Sequence, residues 1–361
     1  MKKIGLYAIL ILWLGLCVTA WVRPSGEISE SERRKLQQFP EISMKDIFSG
    51  DWMEDFESYT LDQFPLRDGF RRVKALVHYN LLGQKDNNGI YLADGYAAKV
   101  EYPMNESSLE NALKKFQKLY DKYLTGSKVT FSVVPDKGMF LAEANGYPAL
   151  DYQALMDKMA AGMPWAEFVD ISGDLALESY YKTDTHWRQE EILDVAQTLC
   201  EALGTGAFDW DEMSRETLER PFYGVYYGQA ALPMDAEEMN LLHHEILDNC
   251  TVYNHENGKT TGIYDWSKLE SQDLYDVFLS GAAALLTIEN PAGDPGKELI
   301  VFRDSYGSSL IPLLVKDYAK VTVIDTRYIA PDLLDRFVDF HGQDVLMIYS
   351  TLLLNSSYTL K

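Results

Sequence analysis

Cysteine is scarce in this chain, with three among 361 residues. Cys17 falls inside an apolar run, which leaves Cys200 and Cys250. Their spacing resembles no metal site, and they could form one disulfide or remain two buried thiols. Histidine numbers six, and the pair His243-His244, followed by Glu245, lacks a third ligand at metal-binding spacing. There is no phosphate loop and no dinucleotide fingerprint, nor any internal repeat or low-complexity segment. The chain is therefore expected to need no metal and no cofactor. Positive charge is also short, with 33 Lys and Arg against 55 Asp and Glu, a net of −22. With no dominant basic patch, nucleic acid and anionic membrane surfaces are excluded as expected partners. A strongly anionic polymer is a poor substrate too, unless the groove is locally basic.

What is present is globular. Hydrophobic residues make up 47% and aromatics 12%, enough for a sizeable core. Met1-Lys2-Lys3 precedes an uncharged stretch of 19 residues, Ile4 to Val22. As a helix it can span about 30 Å of hydrocarbon. Two lysines ahead of it would hold the N-terminus in the cytoplasm and place the body outside. Residues 1–22 are thus expected as a single-pass signal anchor on the extracytoplasmic face of the membrane. Val18-Thr19-Ala20 offers a cleavage site that would release a secreted form. Leu16 before Cys17 does not suit a lipoprotein.

Residues 23–43 read as an exposed linker, with the polar run Ser29-Glu30-Ser31-Glu32-Arg33-Arg34-Lys35. From Met44 to Leu82 the pattern is helical, with Phe48, Trp52, Phe56 and Tyr59 on one face, a spacing that suits core packing; Pro65 interrupts it. Gly89 to Tyr96 carries a hairpin signal. Apolar strand candidates follow at 129–134, 168–171, 299–302, 321–324 and 345–348. Helical segments are expected at 107–124, 190–203, 308–318 and 331–340. Continuous apolar strands alternating with helices predict a parallel sheet covered on both faces, within one α/β domain over 44–361. Residues 205–296, rich in Gly, Tyr, Asp and Asn, read as a loop-rich insertion inside that domain, with room for a hairpin, and able to build a groove.

Two segments carry chemistry. Ser305 follows the strand Leu299-Ile300-Val301-Phe302, where its side chain would be exposed and its own N–H could stabilise an oxyanion. It could equally be a helix N-cap, and no G-x-S-x-G elbow surrounds it. Asp184 and His186 stand two residues apart ahead of a helix. In an extended segment both face one way, with Thr185 turned aside, so Asp184 could orient Nδ1–H and leave Nε2 to take a serine proton. Trp187 could pack beneath the imidazole. Alone, the pair could also be a helix cap beside a surface histidine.

Taken together, Asp184-Thr185-His186-Trp187 and Phe302-Arg303-Asp304-Ser305-Tyr306-Gly307 resemble the DHHW protein family. That family is related to the periplasmic alginate O-acetyltransferase proteins. Glu32 to Leu36, Phe39-Pro40, Asp62 to Pro65, Val134 to Lys137, Tyr275 to Leu279 and Asp325 to Tyr328 match in place and order. Thr185 stands where the family has its second histidine, as in the alginate-type proteins. The resemblance implies an SGNH-hydrolase-like fold with its catalytic blocks in permuted order and a Ser305-His186-Asp184 triad. It implies an acyl group passed through Ser305 to a polysaccharide hydroxyl, with a separate membrane-bound O-acyltransferase supplying that group. Water as acceptor would make the chain an acetyl-esterase instead. A non-catalytic glycan-binding scaffold, its groove lined by Tyr223, Tyr226, Tyr227 and Trp266, is the reading from another class. Beside the Ser305 N–H, the expected oxyanion or substrate contacts are Arg327, Tyr328 and the backbone near Gly281, while Lys137 could line the groove or be an ordinary solvated lysine. Arg327 could instead pair with Asp304 or Asp325. Arg303 stands where ordinary SGNH hydrolases have glycine.

Overall fold

The chain is described by a computed structural model covering residues 2–29 and 31–361. Met1, Glu30 and the side chains of Lys2, Lys3 and Ala8 lie outside the described residues. The basic N-terminal flank and one acidic position of the expected linker therefore lie outside them too. Contacts divide the chain into two compact units, Met1–Gly89 with Tyr227–Met234, and Ile90–Tyr226 with Asp235–Lys361.

In the first unit, helix α1 (Lys2–Val22) is the apolar segment, exposed along nearly all its length. A two-residue hairpin, Ile28–Ser29 with Arg34–Lys35, interrupts the stretch expected as linker. It is fixed by Asp62, which accepts from Arg34 Nη1 at 2.7 Å and from the Gln37 N–H at 2.8 Å. The helical pattern of 44–82 is realised in pieces. Gly50, at φ 94°, ends Met44–Ser49 and opens α2 (Asp51–Asp62). Helix α3 (Arg67–Leu76) then ends in a π turn over Val77–Leu81. Trp52, Phe56 and Tyr59 all meet the ring of Phe39 edge-on. That stripe is packing, and Phe48 stands outside it, exposed.

The second unit holds an eight-stranded sheet. Its strands are β1 (Val129–Val134), β2 (Glu167–Phe168), β3 (Thr251–Asn254), β4 (Lys259–Thr261), β5 (Leu285–Glu289), β6 (Asp294–Arg303), β7 (Tyr318–Ile324) and β8 (Asp344–Ser350). Their order is β4-β3-β5-β7-β6-β8-β1-β2. The run β7-β6-β8-β1-β2 is parallel, and β5, β3 and β4 extend it in antiparallel pairing. Every residue of β1 is buried, as continuous apolar runs require when both faces are covered. Leu299 and Val301 of β6 pack on one side with α6 (Leu193–Leu203). Ile300 and Phe302 pack on the other with α4 (Glu106–Leu119) and α5 (Tyr152–Gly162). The hairpin Ile90–Ala93/Tyr96–Lys99 forms as expected, with Asp94 and Gly95 at φ 48° and 82° in its turn.

Three expectations change. Residues 205–296 hold the hairpin allowed for there, β3 with β4, but this hairpin and β5 belong to the main sheet itself. The helix expected over 308–318 is one α turn, Gly307–Leu310, tightening to 3-10 over Ile311–Leu314. Pro312 lacks the N–H that an α-helix would use there. Residues 331–340 give only a 3-10 segment, Pro331–Arg336.

Candidate active site

β6 ends at Arg303, so the chain turns at the carboxyl edge of the sheet, and Ser305 sits half-buried in that turn. Asp304 fixes it. Its Oδ1 accepts the Tyr306 N–H at 3.0 Å, while Oδ2 accepts the N–H and O–H of Ser350, at the end of β8, at 2.8 and 2.6 Å. Gly307 must be small, because a Cβ there would stand 2.8 Å from Arg303 Cβ.

Asp184 and His186 lie in a tight bend, not an extended segment. Tyr180 and Trp187 bridge its base, and the Tyr181 N–H donates to the His186 carbonyl at 3.1 Å. The bend is gathered from outside. Glu237 accepts the N–H groups of Lys182 and Thr183 at 2.6 and 2.7 Å, the Thr183 hydroxyl at 2.7 Å, and Arg188 Nη2 at 3.0 Å. Gly224 lies against it so closely that a Cβ would fall 2.2 Å from Asp184 Cα.

Within this frame Asp184 Oδ1 accepts the His186 N–H at 3.1 Å and lies 2.7 Å from His186 Nδ1. Asp184 Oδ2 accepts the Val225 N–H at 2.8 Å. His186 Nε2 lies 2.7 Å from Ser305 Oγ. The carboxylate assigns the proton to Nδ1 and leaves Nε2 as an acceptor toward the hydroxyl. Three side chains from two segments, the 180–187 bend and the turn after β6, thus form one hydrogen-bonded line.

The ring stacked on His186 is Tyr275, at 3.9 Å and 6° between planes. Trp187 was expected in that place. It is instead fully buried, its indole N–H donating to the Tyr306 carbonyl and Ser309 Oγ at 3.0 Å each. Ser309 Oγ also pairs with the Tyr275 hydroxyl at 2.8 Å, and the Tyr306 ring stands edge-on to both Trp187 and His186, so Trp187 reaches the imidazole through these two neighbours. Thr185 accepts the Tyr226 hydroxyl on Oγ1 at 3.1 Å and the Tyr306 hydroxyl on its carbonyl at 2.6 Å. Burial raises the phenols of Tyr226, Tyr275 and Tyr306, which stay neutral donors.

The remaining expected contacts divide. Lys137 lines no open groove. It is 1% exposed and gives Nζ–H bonds to the Tyr181 and Lys182 carbonyls at 2.5 and 3.3 Å. Burial pulls its ammonium down to about 7, against the opposing charges of Asp184, Glu237 and Asp136. Gly281, at φ 77°, has its N–H committed to the Phe278 carbonyl and its own carbonyl to Arg303 Nη2. Arg303 is fully buried and bridges that carbonyl to the Asp304 carbonyl. Arg327 pairs with Asp325, Nε at 2.9 Å and Nη2 at 2.6 Å, while its guanidinium rests over the half-exposed Tyr328 ring. Glu237, Tyr275, Ser350 and Gly224 were not singled out as site residues from the sequence. Tyr275 alone carried a signal, lying within the Tyr275 to Leu279 match.

The DHHW protein family model matches residues 173–324, a span that contains Asp184, His186 and Ser305. A DHHW family protein from Eubacterium siraeum has a TM-score of 0.60 at 21% identity, covering 74% of this chain and 93% of its own. PatB1 from Bacillus cereus gives 0.56 at 16% identity, covering 73% and 96%. PatB1 with a sulfonyl adduct gives 0.56 at 15% identity, covering 73% and 95%. At these identities the likeness is one of fold. No curated protein sequence matches the chain. The DHHW resemblance read from the motifs holds.

Proposed function

We propose that this DHHW-related chain is an extracytoplasmic, membrane-anchored O-acyltransferase that moves acetyl groups onto a cell-surface or secreted polysaccharide. The observation that carries the reading is the line Asp184–His186–Ser305, with both imidazole nitrogens 2.7 Å from their partners. His186 Nε2 takes the Ser305 proton as Oγ attacks the acyl carbonyl. The tetrahedral oxyanion is held by the Ser305 N–H, with Arg327 as the candidate second donor. The same imidazolium then protonates the leaving group, giving acyl-Ser305. A sugar hydroxyl, deprotonated by Nε2, attacks that ester and carries the acyl group away, restoring the serine. Asp184 stays ionised and stabilises the imidazolium throughout. The acyl donor is supplied from the membrane by a separate O-acyltransferase. PatB1, a protein of similar fold, has been solved with a sulfonyl adduct, which fits the proposed nucleophilic chemistry.

The test is p-nitrophenyl acetate turnover by the full chain in detergent, with Ser305→Ala beside it. Ser305-dependent release, together with an acetyl mass on the Ser305 peptide, is expected. Loss of activity should reach about 10³-fold or more. Activity unchanged in Ser305→Ala, or no acyl-serine, overturns the catalytic reading in favour of a glycan-binding scaffold. Adding oligosaccharide acceptors then separates transfer, seen as a 1:1 gain of acetyl, from hydrolysis to acetate.

A further inference from the structure

Helix α3 with its π turn is built inside out for a water-soluble protein. An amphipathic helix ordinarily buries its apolar stripe and gives its charges to solvent. Here the charged face is the packed one. Arg67 and Arg71 are about four-fifths buried and pair with Glu32 at 2.5 and 3.2 Å. Arg71 Nη2 also donates to the Gly228 carbonyl at 2.7 Å, and Arg72 Nη2 to the Tyr227 hydroxyl at 3.1 Å. The opposite face carries Leu66, Phe70, Val73, Val77 and Leu81 at spacings of three and four, exposed by 37% to 77%. Nothing among the described residues covers them.

The same apolar surface runs on to the membrane segment. A cavity of about 460 Å³ lies within this unit, lined by Trp13, Leu16 and Trp21 of α1 and by Phe56, Tyr59 and Phe70 of α2 and α3. Phe70 belongs to both the cavity wall and the stripe. The outer end of α1, where a spanning helix leaves hydrocarbon, therefore meets the uncovered face directly.

We infer that α3 and its π turn lie in the outer surface of the bilayer, with the Leu66–Leu81 stripe and the cavity beside α1 occupied by phospholipid acyl chains. This rests on reading Ile4–Val22 as membrane-spanning and is independent of the acyl-transfer chemistry. Such helices sit about 5–10 Å into the headgroup boundary, and apolar contact, not charge, drives the binding. A net charge of −22 therefore presents no obstacle on zwitterionic lipid. The inverted polarity follows: Arg67 and Arg71 are neutralised inside the protein because their helix has its other face in lipid.

The experiment uses the full chain in phosphatidylcholine vesicles with Cys17→Ser, since Cys200 and Cys250 are buried. A fluorophore sensitive to its surroundings is attached singly at Leu14→Cys, Val73→Cys, Leu81→Cys or Lys114→Cys. Lipid-borne nitroxide should quench the labels at 73 and 81 as strongly as the one at 14, and leave 114 unquenched. If 14 is quenched while 73 and 81 behave like 114, the inference is overturned. It also fails if 73 and 81 are shielded from both nitroxide lipid and aqueous iodide, which would mean a protein partner or a second copy covers them. Loss of quenching at all four positions overturns it as well, because α1 then does not span.

Discussion

Among the contacts of the two Asp184 oxygens, the one to His186 Nδ1 carries the chemistry. With the oxygen of an Asn turned to the Val225 N–H, the amide nitrogen takes the Oδ1 place and faces both the His186 N–H and Nδ1. Asp184→Asn thus gives up one backbone bond inside the bend and presents a donor to Nδ1, shifting the proton to Nε2 and blocking acceptance from Ser305. The expected result is a folded protein with activity down about 10³- to 10⁴-fold, checked by turnover and by a melting transition that stays cooperative. Lys137 works differently. Burial holds its amine near 7 when folded against 10.5 ordinarily. Between those values the unfolded chain binds a proton that the folded chain has released, so stability rises with pH across the window. Below it both states are protonated and the burial cost is felt in full. A neutral amine still donates two N–H bonds, enough for the carbonyls of Tyr181 and Lys182. Lys137→Met should flatten this rise, seen as similar urea midpoints near pH 7 and near pH 10 where the parent gains a few kcal/mol.

Elements differed in how openly they stood in the sequence, for physical reasons. β1 and the buried parts of β6, β7 and β8 were legible because parallel strands covered on both faces must be continuously apolar. β3, β4 and β5 were not. Thr251–Asn254 alternates exposed and buried and lies among Asn, Gly and Asp, which mask a short antiparallel strand. Pro312 was in plain view, yet the apolar run around it suggested a longer helix. Asp184, His186 and Ser305 were legible as residue types in matching motifs, but the bend that aims them was not. It is made by Glu237 and by Gly224, residues whose part depends on distant pairing. Gly224 gives the element-scale prediction. Ala at 224 would drive a methyl into the Asp184 backbone, and no flexible side-chain end is available to yield. Gly224→Ala should cost about 1–3 kcal/mol by overpacking, read from urea titration, and displace Asp184 enough to lower turnover. Full activity at parental stability would show that the contact is slack.

At the scale of the whole chain, the scarce cysteines bear on how a body expected outside the cytoplasm holds together. Both are free in the structure. Cys200, on α6, and Cys250, just before β3, lie in the same apolar cluster beside the sheet. There they behave as small hydrophobes, not as a staple. Burial pushes their thiols up, Cys200 to about 11 and Cys250 to about 12, so thiolate is scarce at neutral pH. A domain of this size buries enough apolar surface to do without a cross-link. The chain in vesicles should therefore melt at the same temperature with and without dithiothreitol. Cys200 and Cys250 should ignore an aromatic disulfide reagent until the chain unfolds, then both react. A disulfide between them would instead lower the melting point on reduction, by an amount equivalent to about 2–5 kcal/mol. It would also leave two thiols missing from the unfolded count, so the oxidised chain and the free-thiol core give opposite readings in one titration.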